Sequence, residues 1–575
     1  MLSIPTNEIK GNPYTIAYFS MEVGLDPAVP TYSGGLGMLA GDTLRAAADL
    51  AIPIVGVTLL HRKGYFHQHL DEKGNQSESP VEWYPEEFLE PQRPRISIHI
   101  EEREVQVRAW RYAVHGVSGH DVPVYFLDTA VPENSEWDQA ITDYLYGGDD
   151  HYRLCQEAVL GMGGLAILRG LGYKEVKAYH MNEGHSSLLT LALLNEMTGD
   201  RDAHSITEEE IDKVRQQCVF TTHTPVPAGH DQFHIDMVRQ VLGDKLTESL
   251  ESARACLDST LNMTYLALCF SRYINGVSYR HVEISQGMFP NYPIDSVTNG
   301  VHALTWTSPP FRRLYDHYMP EWRRDNLYLR YAMSIPFQEV LEAHAEAKHQ
   351  LLEEVKERTG KTLEPGFMTI GFARRAAAYK RADLLFSDLN RLKRIGRKVG
   401  PLQFLFAGKA HPQDEKGKAV IRRIFETADV LEDNVRVVYL EEYDMALAKY
   451  MCSGVDLWLN TPQKPREASG TSGMKAALNA IPSLSVLDGW WIEGHVEGIT
   501  GWSIGESWES ESNPEKEMKS LYDKLEKVIV PMFYEKRDAY AQIMRSVIAI
   551  NGSFFNGQRM MFQYLMNAYL PAETA

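Results

Sequence analysis

Cysteine is scarce in this chain, with five in 575 residues at Cys155, Cys218, Cys256, Cys269 and Cys452 and no C-x-x-C pair among them. That pattern argues against a disulfide framework and a cysteine-based zinc site. Apolar runs of about 18 residues, the length a membrane-spanning helix needs, do not occur. The amino end, MLSIPTNEIKGNPYTIAYF, has no basic stretch followed by an apolar one, so no secretory leader is expected and a soluble, cytoplasmic protein is. Positive charge is in deficit: 58 Lys and Arg face 77 Asp and Glu, a net −19 with neutral histidine. The overall field therefore repels nucleic acid and anionic membrane, and neither is expected as a partner. Any anionic substrate must be held by a local cluster of cations. Internal repeats and low-complexity tracts are also missing, as are a G-x-S-x-G elbow and a P-loop, which disfavours serine-hydrolase and P-loop NTPase chemistry.

What the chain does have is the material of a large folded enzyme. Hydrophobic residues make up 44%, charged residues 23% and aromatics 10%, a globular balance with ample apolar surface for buried cores. The length would fill roughly four domains of average size, and large α/β enzymes often put it into two. In the first half, TIAYFSMEV (15–23) and IPIVGVTLL (52–60) read as strands around a helix-like stretch from Met38 to Leu50. Short strand-like runs follow at Val176 to Met181 and Val219 to Thr222, the former preceded by the helical segment RLCQEAVLGMGGLAILRGLG. Phe337 to Arg358 predicts a helix with i,i+4 charge pairs and a solvated face. Beyond it strands FMTIGFA, QFLFAG, VRVVYLE, VDLWLN and SLSVL alternate with helices, one of them from Ala382 to Ile395 and another from Met474. This alternation predicts an α/β fold of parallel sheets with helical crossovers, its second half doubly wound. A boundary near Asn299 to Trp306, just before SPPFRRLYDHYMP, divides the chain into domains of residues 1–303 and 304–575. The final segment, Phe554 to Leu570, reads as a helix that packs back on the first domain.

Four polar segments follow predicted strands, where an open α/β sheet places its ligand groups. YSGGLG (32–37) leads into a helix, and its glycines let the backbone approach an anion; a plain tight turn is the alternative. ARRAAAYKR (373–381) puts four cations within eight residues. It reads either as the anion site the composition demands or as a solvated basic helix face, with Arg375 and Lys380 the best candidates for phosphate contact. EASGTSGMKAALNAI (467–481) sets small residues before a helix, with Thr471 and Ser472 as hydroxyl donors. Lys475 lies in its apolar part, where desolvation would lower its pKa and favour imine chemistry, unless it snorkels to the surface. Two histidine-containing turns, HMNEGHSS (180–187) and FTTHTPVPAGHD (220–231), form the fourth feature. A metal site could recruit His223, His230, Asp231 and His234, but the intervening prolines break any simple ligand face, and no metal is expected. His223 reads better as a hydrogen-bonding group for substrate, or as a structural histidine. Glu22, Glu183 and Glu467 fall in these segments, yet their spacing defines no glycosidase pair.

Taken in order, YFSMEV, YSGGLG, HMNEGH, THTPVP, TNGV, RRAAAYKR and EASGTSGMK resemble the α-glucan (glycogen, starch or maltodextrin) phosphorylases over nearly the whole chain. The resemblance implies the GT-B architecture, two Rossmann-like domains facing across a deep cleft, and a pyridoxal 5′-phosphate cofactor carried on Lys475. It implies reversible transfer of a terminal α-1,4-glucosyl unit from glucan to inorganic phosphate, giving glucose 1-phosphate with retention. Arg375 and Lys380 match the pair that binds substrate phosphate and the cofactor's phosphate surroundings, and Thr471, Ser472 and Gly473 match the cofactor-phosphate segment. Gly34, Gly35 and Gly37 match the loop beside substrate phosphate. Asn299, His223, Glu183, Glu467, Ser469 and Gly470 match contacts to the glucosyl unit, while Trp306, Tyr443 and Glu22 line the cofactor or cleft.

The matching segments also depart from the long animal and plant enzymes. TSGMK stands where those have TGNMK, and alanines stand between the cations of RRAAAYKR where they carry a histidine and an acidic residue. The chain is thus similar to the short prokaryotic branch. The first core strand begins almost at once, so control by N-terminal phosphorylation or nucleotides is not expected, and a homodimer stays open. The nearest rival is a retaining sugar-nucleotide glycosyltransferase of the glycogen or starch synthase kind, but Tyr32 occupies the position of its donor-binding lysine. An aminotransferase-type enzyme and a glycan-binding module without catalysis are further alternatives.

Overall fold

The computed structural model describes residues 15–570 apart from residues 200, 202–204, 227–228, 254, 258 and 432–433. Most of the amino-terminal stretch on which the no-leader expectation rests lies outside the described residues, as do two residues of the THTPVPAGH turn.

The first half is built on a nine-stranded sheet. Its chain starts with β1 (Thr15–Ser20) and β2 (Ile54–Leu59), leaves the sheet for a hairpin of β3 (His67–Leu70) and β4 (Gln76–Ser79), and returns through β5 (Glu90–Ile100), β6 (Arg103–His115) and β7 (Asp121–Asp128). It continues with β8 (Val176–Asn182) and β9 (Cys218–Thr221), makes a small three-stranded sheet from β10 (Gln232–His234), β11 (Cys256–Leu257) and β12 (Thr260–Asn262), and ends with β13 (Tyr273–Gly276) and β14 (Asp295–Ser296). The large sheet runs in the order β14-β13-β9-β8-β1-β2-β7-β6-β5. Its centre is parallel, with Phe19 opposite both Val57 and Met181. The β5-β6-β7 edge is antiparallel, and sequence reading missed it although β7 has an apolar run, because β5 and β6 carry charged residues and lack one.

The second half holds β15 (Met368–Ala373), β16 (Leu402–Ala407), β17 (Val435–Leu440), β18 (Leu457–Asn460), β19 (Ser483–Val486) and β20 (Gly501–Ile504). All neighbours are parallel, in the order β17-β16-β15-β18-β19-β20. Counted along the chain this is 3-2-1-4-5-6, the doubly wound order. β15, β16, β18 and β19 are buried throughout, which is why they read as near-continuous apolar runs. The order reverses between β15 and β18, whose carboxyl ends lead into ARRAAAYKR and toward EASGTSGMK.

Some helices differ from the sequence expectation. The first starts at Gly35, inside the glycine loop, and runs to Asp49. The stretch after Ala382 is a 3-10 turn, Ala382–Phe386, and a separate helix, Leu389–Lys398, because the Asp388 side chain accepts from Arg391 N (2.9 Å) and restarts the helix there. The helix Phe337–Thr359 is more than a solvated charge ladder. It buries Val340, Ala347, Leu351 and Val355 together with His344 and Lys348, both of which bind Asp456 (2.9 and 2.6 Å).

Several contacts join the halves, and two groups of them stand at the C-terminal helix and at the hairpin. The C-terminal helix Gly557–Tyr564 and the π-turn Leu565–Tyr569 put Met560, Tyr564 and Tyr569 into one core with Ile16, Leu39 and Val124. There the buried His180 ring bonds to the Tyr569 hydroxyl (2.7 Å) and to Thr221 Oγ1 (2.8 Å). On the hairpin, Gln68 Nε2 donates to Gly408 O (2.9 Å) and Gln76 Nε2 to Ala410 O (2.8 Å), while Gln68 N donates to Glu442 (2.6 Å) and Glu442 N to Gln68 Oε1 (3.0 Å). The hairpin is thus clasped to the loops after β16 and β17.

Candidate active site

The loops at the carboxyl ends of both sheets carry the chemistry. Immediately after β15, consecutive residues diverge as in a strand. Arg374 turns inward and donates to Glu467 Oε2 (2.7 Å), where Lys380 Nζ also donates (2.6 Å). Arg375 faces solvent, with a long contact to the Tyr379 hydroxyl (3.4 Å). Burial alone would raise the Glu467 carboxyl, but Arg374 and Lys380 more than offset it and hold it at about 2. Arg374 and Lys380 thus share Glu467, while Arg375, expected together with Lys380 at phosphate, is exposed beside them. The Glu467 N–H is in turn accepted by Asp488 Oδ2 (3.0 Å), at the turn after β19. Burial pushes the Asp488 carboxyl up to about 7.

Lys475 sits in the helix Ser472–Ala477, buried, its ammonium 3.8 Å from the centre of the Trp306 ring. No hydrogen bond or ion pair reaches that ammonium among the described residues, and burial lowers its pKa. The Trp306 ring is fixed by its Nε1–H, which donates to both oxygens of Asp42 (3.0 and 2.8 Å). Thr471 stands at the helix start, and Ser472 Oγ accepts from Trp458 Nε1 (3.1 Å). Gly473 has a packing reason to be glycine: a Cβ there would lie 2.6 Å from the Trp490 ring. Tyr443 is half-buried after β17, and its neighbour in the first half, Tyr32, accepts through its hydroxyl from Met445 N (3.0 Å).

In the first half, Glu22 places its carboxylate in the glycine loop, accepting from Ser33 N (2.6 Å), Gly34 N (3.2 Å) and the Tyr146 hydroxyl (3.0 Å). A Cβ on Gly37 would meet that carboxylate at 2.7 Å, whereas Gly34 and Gly35 border open space. Glu22 is thus a strut for the loop. His223 donates its N–H to Glu183 (2.7 Å), and its Nε2 bonds to Asn182 Oδ1 (2.7 Å). Burial, with nearby histidines, lowers the imidazole to about 3, so the ring is neutral. Glu183, expected at the substrate, also accepts from Thr224 Oγ1 (2.9 Å) and Gly184 N (3.0 Å) at a positive φ of 74°. These bonds make Glu183 a support of the His223 loop. Asn299 Oδ1 and Ser469 Oγ are buried without a partner, and Gly470 takes a φ of 84° between Ser469 and Thr471. Buried polar atoms of this kind need water or a ligand to complete them. Among the described residues no group of His, Cys, Asp and Glu could hold a metal ion.

The chain has relatives among known proteins. The family model for carbohydrate phosphorylases matches residues 245–573. The chain belongs to the carbohydrate phosphorylase family. It is 38% identical to the maltodextrin phosphorylase of Thermococcus litoralis, across 97% of this chain and 70% of that protein. It is 34% identical to the glycogen phosphorylase of Aquifex aeolicus, across 96% and 86%, and 33% identical to that of Mycobacterium tuberculosis, across 97% and 71%. No described helix is long and apolar enough to cross a membrane.

Beside this family's expected positions, Asp488, Asp42 and Tyr146 went unnoticed in the sequence, while Arg374 and Asn182 lay inside marked segments without being singled out. The signal that marked the other segments would have found one of them: Asp488 lies two residues beyond a β-strand of the second sheet. Asp42, about two turns into a helix, and Tyr146, in a loop, had no such mark.

Proposed function

We propose that this chain is a pyridoxal-phosphate-dependent α-glucan phosphorylase that transfers a terminal α-1,4-glucosyl unit to inorganic phosphate, reversibly, giving glucose 1-phosphate with retained configuration. The proposal takes residues 1–303 and 304–575 as two Rossmann-like domains of a GT-B enzyme, with the site in the cleft between them. The observation that carries it is the donor set beyond the ends of two adjacent strands of the second sheet: a buried amine at Lys475 with no hydrogen-bonded anion among the described residues, and the cations Arg374 and Lys380 bridged by one carboxylate.

This donor set fits an anionic aldehyde cofactor. Lys475 has the lowered pKa of an amine that reacts as a nucleophile. Lys475 would carry the cofactor beside Trp306, with Tyr443, Glu22, Thr471, Ser472, Gly473 and Lys380 around it. When bound, the cofactor supplies a phosphate that exchanges a proton with substrate phosphate. The chain's own residues do the rest. Arg375 meets incoming phosphate from the solvent side, and Arg374 and Lys380 supply charge where two phosphates would otherwise repel each other. Gly34 and Gly35 leave room for the anion above the loop that Glu22 braces. The neutral His223, turned by Asn182, hydrogen-bonds a sugar hydroxyl, and Asn299 Oδ1 and Ser469 Oγ offer their unused bonding capacity to others. Glu467 joins the sugar to the cation pair. Tyr32, whose hydroxyl is bound to Met445 N, stands where a sugar-nucleotide glycosyltransferase needs a lysine, which disfavours that rival.

The test is glucose 1-phosphate release from maltodextrin with and without inorganic phosphate, for the parent, Lys475→Ala and Arg375→Ala. Phosphate-dependent release that is lost with Lys475 and loses its normal phosphate dependence with Arg375 is expected. Release that ignores phosphate, or a fully active Lys475→Ala, overturns the reading.

A further inference from the structure

The segment 298–300, where the first half passes into the second, is held by the C-terminal chain. Gly300 is pressed against it so closely that a Cβ would lie 2.1 Å from Asn556 O. Next to it, Val301 N donates to Phe555 O (3.1 Å) and Gly557 N to Val301 O (2.7 Å). Asn556 also caps the helix Gly557–Tyr564, its Oδ1 accepting from Arg559 N (3.0 Å). Arg559 is thereby fixed in the first turn of that helix, and its side chain reaches the segment: Nη1 donates to Thr298 O (2.6 Å) and Nη2 to Asn299 O (2.9 Å). We propose that Arg559 is a positioning residue of the sugar site, which holds the backbone of Asn299 so that its side-chain amide meets the glucosyl unit. The inference rests on the α-glucan reading above, in which Asn299 contacts that sugar.

The bonding pattern of the guanidinium suits that role. Besides the two carbonyls of the segment it donates to Phe554 O through Nε (2.8 Å) and to Gln563 Oε1 through Nη1 (2.7 Å), so all its acceptors are neutral. Burial lowers it to about 10, which leaves it charged at neutral pH, and hydrogen bonds from a charged donor are the stronger kind. A planar fork of donors spans two successive carbonyls, which the point charge of a lysine does not. Further bonds complete the grip. Thr298 Oγ1 donates to Glu493 Oε2 (2.7 Å), whose Oε1 accepts from Tyr279 N (3.1 Å), and Asn299 N donates to Val277 O (3.1 Å). Both peptide planes that flank the Asn299 Cα are therefore fixed, the first at Thr298 O and Asn299 N and the second at Asn299 O, and the side chain turns only about its own bonds. Its Oδ1 is buried and has no partner, the one acceptor in this clamp that a ligand can take. Loss of Arg559 releases both carbonyls at once, and a drift of about 1 Å in a substrate-positioning group can cost about a hundredfold in rate.

The experiment is a double-mutant cycle in the cofactor-loaded full chain, with Asn299→Ala, Arg559→Ala and the two combined, and with Arg559→Lys as the variant that keeps charge and stem. It reads kcat and KM for maltodextrin, KM for phosphate, glucose binding by calorimetry and the melting temperature. Arg559→Ala is expected to lower kcat/KM for maltodextrin and to weaken glucose binding by about tenfold, with the KM for phosphate unchanged. In the Asn299→Ala background the same change should cost about twofold at most, because a group that acts through Asn299 then has nothing left to position. Arg559→Lys, reaching one carbonyl, should fall between, and it carries the cycle if the alanine variant does not fold. A loss that multiplies in full with that of Asn299→Ala overturns the proposal, since Arg559 then acts on the fold at large. So does an Arg559→Ala protein that binds glucose and turns over maltodextrin like the parent. A fully active Asn299→Ala overturns it as well, while the reaction class stands. If the parent forms no glucose 1-phosphate but glucose binding shows the expected coupling, the catalytic reading fails and the positioning role holds.

Discussion

Replacing Glu467 with glutamine tests the electrostatic core of the site. In the folded chain Arg374 and Lys380 hold this buried carboxyl at about 2, against an ordinary value of 4.5. At 1.36 kcal/mol per pKa unit, the shift corresponds to a stabilisation of about 3 kcal/mol. Because the folded value is depressed, that stabilisation is complete above about pH 4.5 and is lost as pH falls through about 2. Glutamine keeps the size and one acceptor but leaves two buried cations facing each other unpaired, a change whose cost is of the same order. If the second half melts as a unit, Glu467→Gln should lower its melting temperature by roughly 5–10 °C at pH 7. The freed cations then become a stronger anion site, so inorganic phosphate should stabilise the variant more than the parent, and sodium chloride at equal ionic strength should not. Scanning fluorimetry with both salts measures both effects. A variant that melts within a degree of the parent and gains no more from phosphate would refute the claim that this carboxylate neutralises the cation pair.

Other perturbations follow from the same physics. Burial holds the Asp488 carboxyl at about 7, so between about pH 4 and 7 the folded chain keeps a proton that the unfolded chain has released, and stability falls as pH rises through that window. Asp488→Asn should abolish this fall, as melting curves at pH 5 and 8 would record; a parallel dependence in the variant would refute the assignment. Tyr569→Phe removes the bond to the buried His180 ring and should cost about 1–2 kcal/mol, with faster amide exchange across residues 557–569. Unchanged exchange there would show that the bond does not hold the C-terminal segment. Gln68→Ala combined with Gln76→Ala removes the bonds that tie the hairpin to Gly408 and Ala410, and the radius of gyration from solution scattering should increase as the halves separate; no change would mean that the clasp is not what joins them.

The second half was largely legible in the sequence. Strands β15, β16, β18 and β19 are covered on both faces, so each is an unbroken apolar run, and the polar segments after them stand out by contrast. YSGGLG and EASGTSGMK were readable for a local reason: small residues at a strand-to-helix turn mark where the backbone must come close to something. The antiparallel edge β5-β7 escaped because its exposed strands carry charge, and the division of the 382–395 helix escaped because the stop depends on Asp388 capping the next turn.

Sequence alone determined the fold class, the family's motifs and their order, because these are set by local periodicity and by residues close to one another along the chain. Only the tertiary structure decided which side chains meet. Arg374 rather than Arg375 reaches Glu467, since successive residues leaving a strand face opposite ways and Glu467 lies 93 positions on. Glu183 braces a loop because its carboxylate finds the His223 N–H that another strand end delivers, and Glu22 because its own loop folds back on it. The Lys475 ammonium owes its lowered pKa to burial against Trp306, which Asp42 fixes from 264 positions away. The desolvation and pairing that tune these groups depend on distances across the folded interior, which no spacing in the sequence encodes.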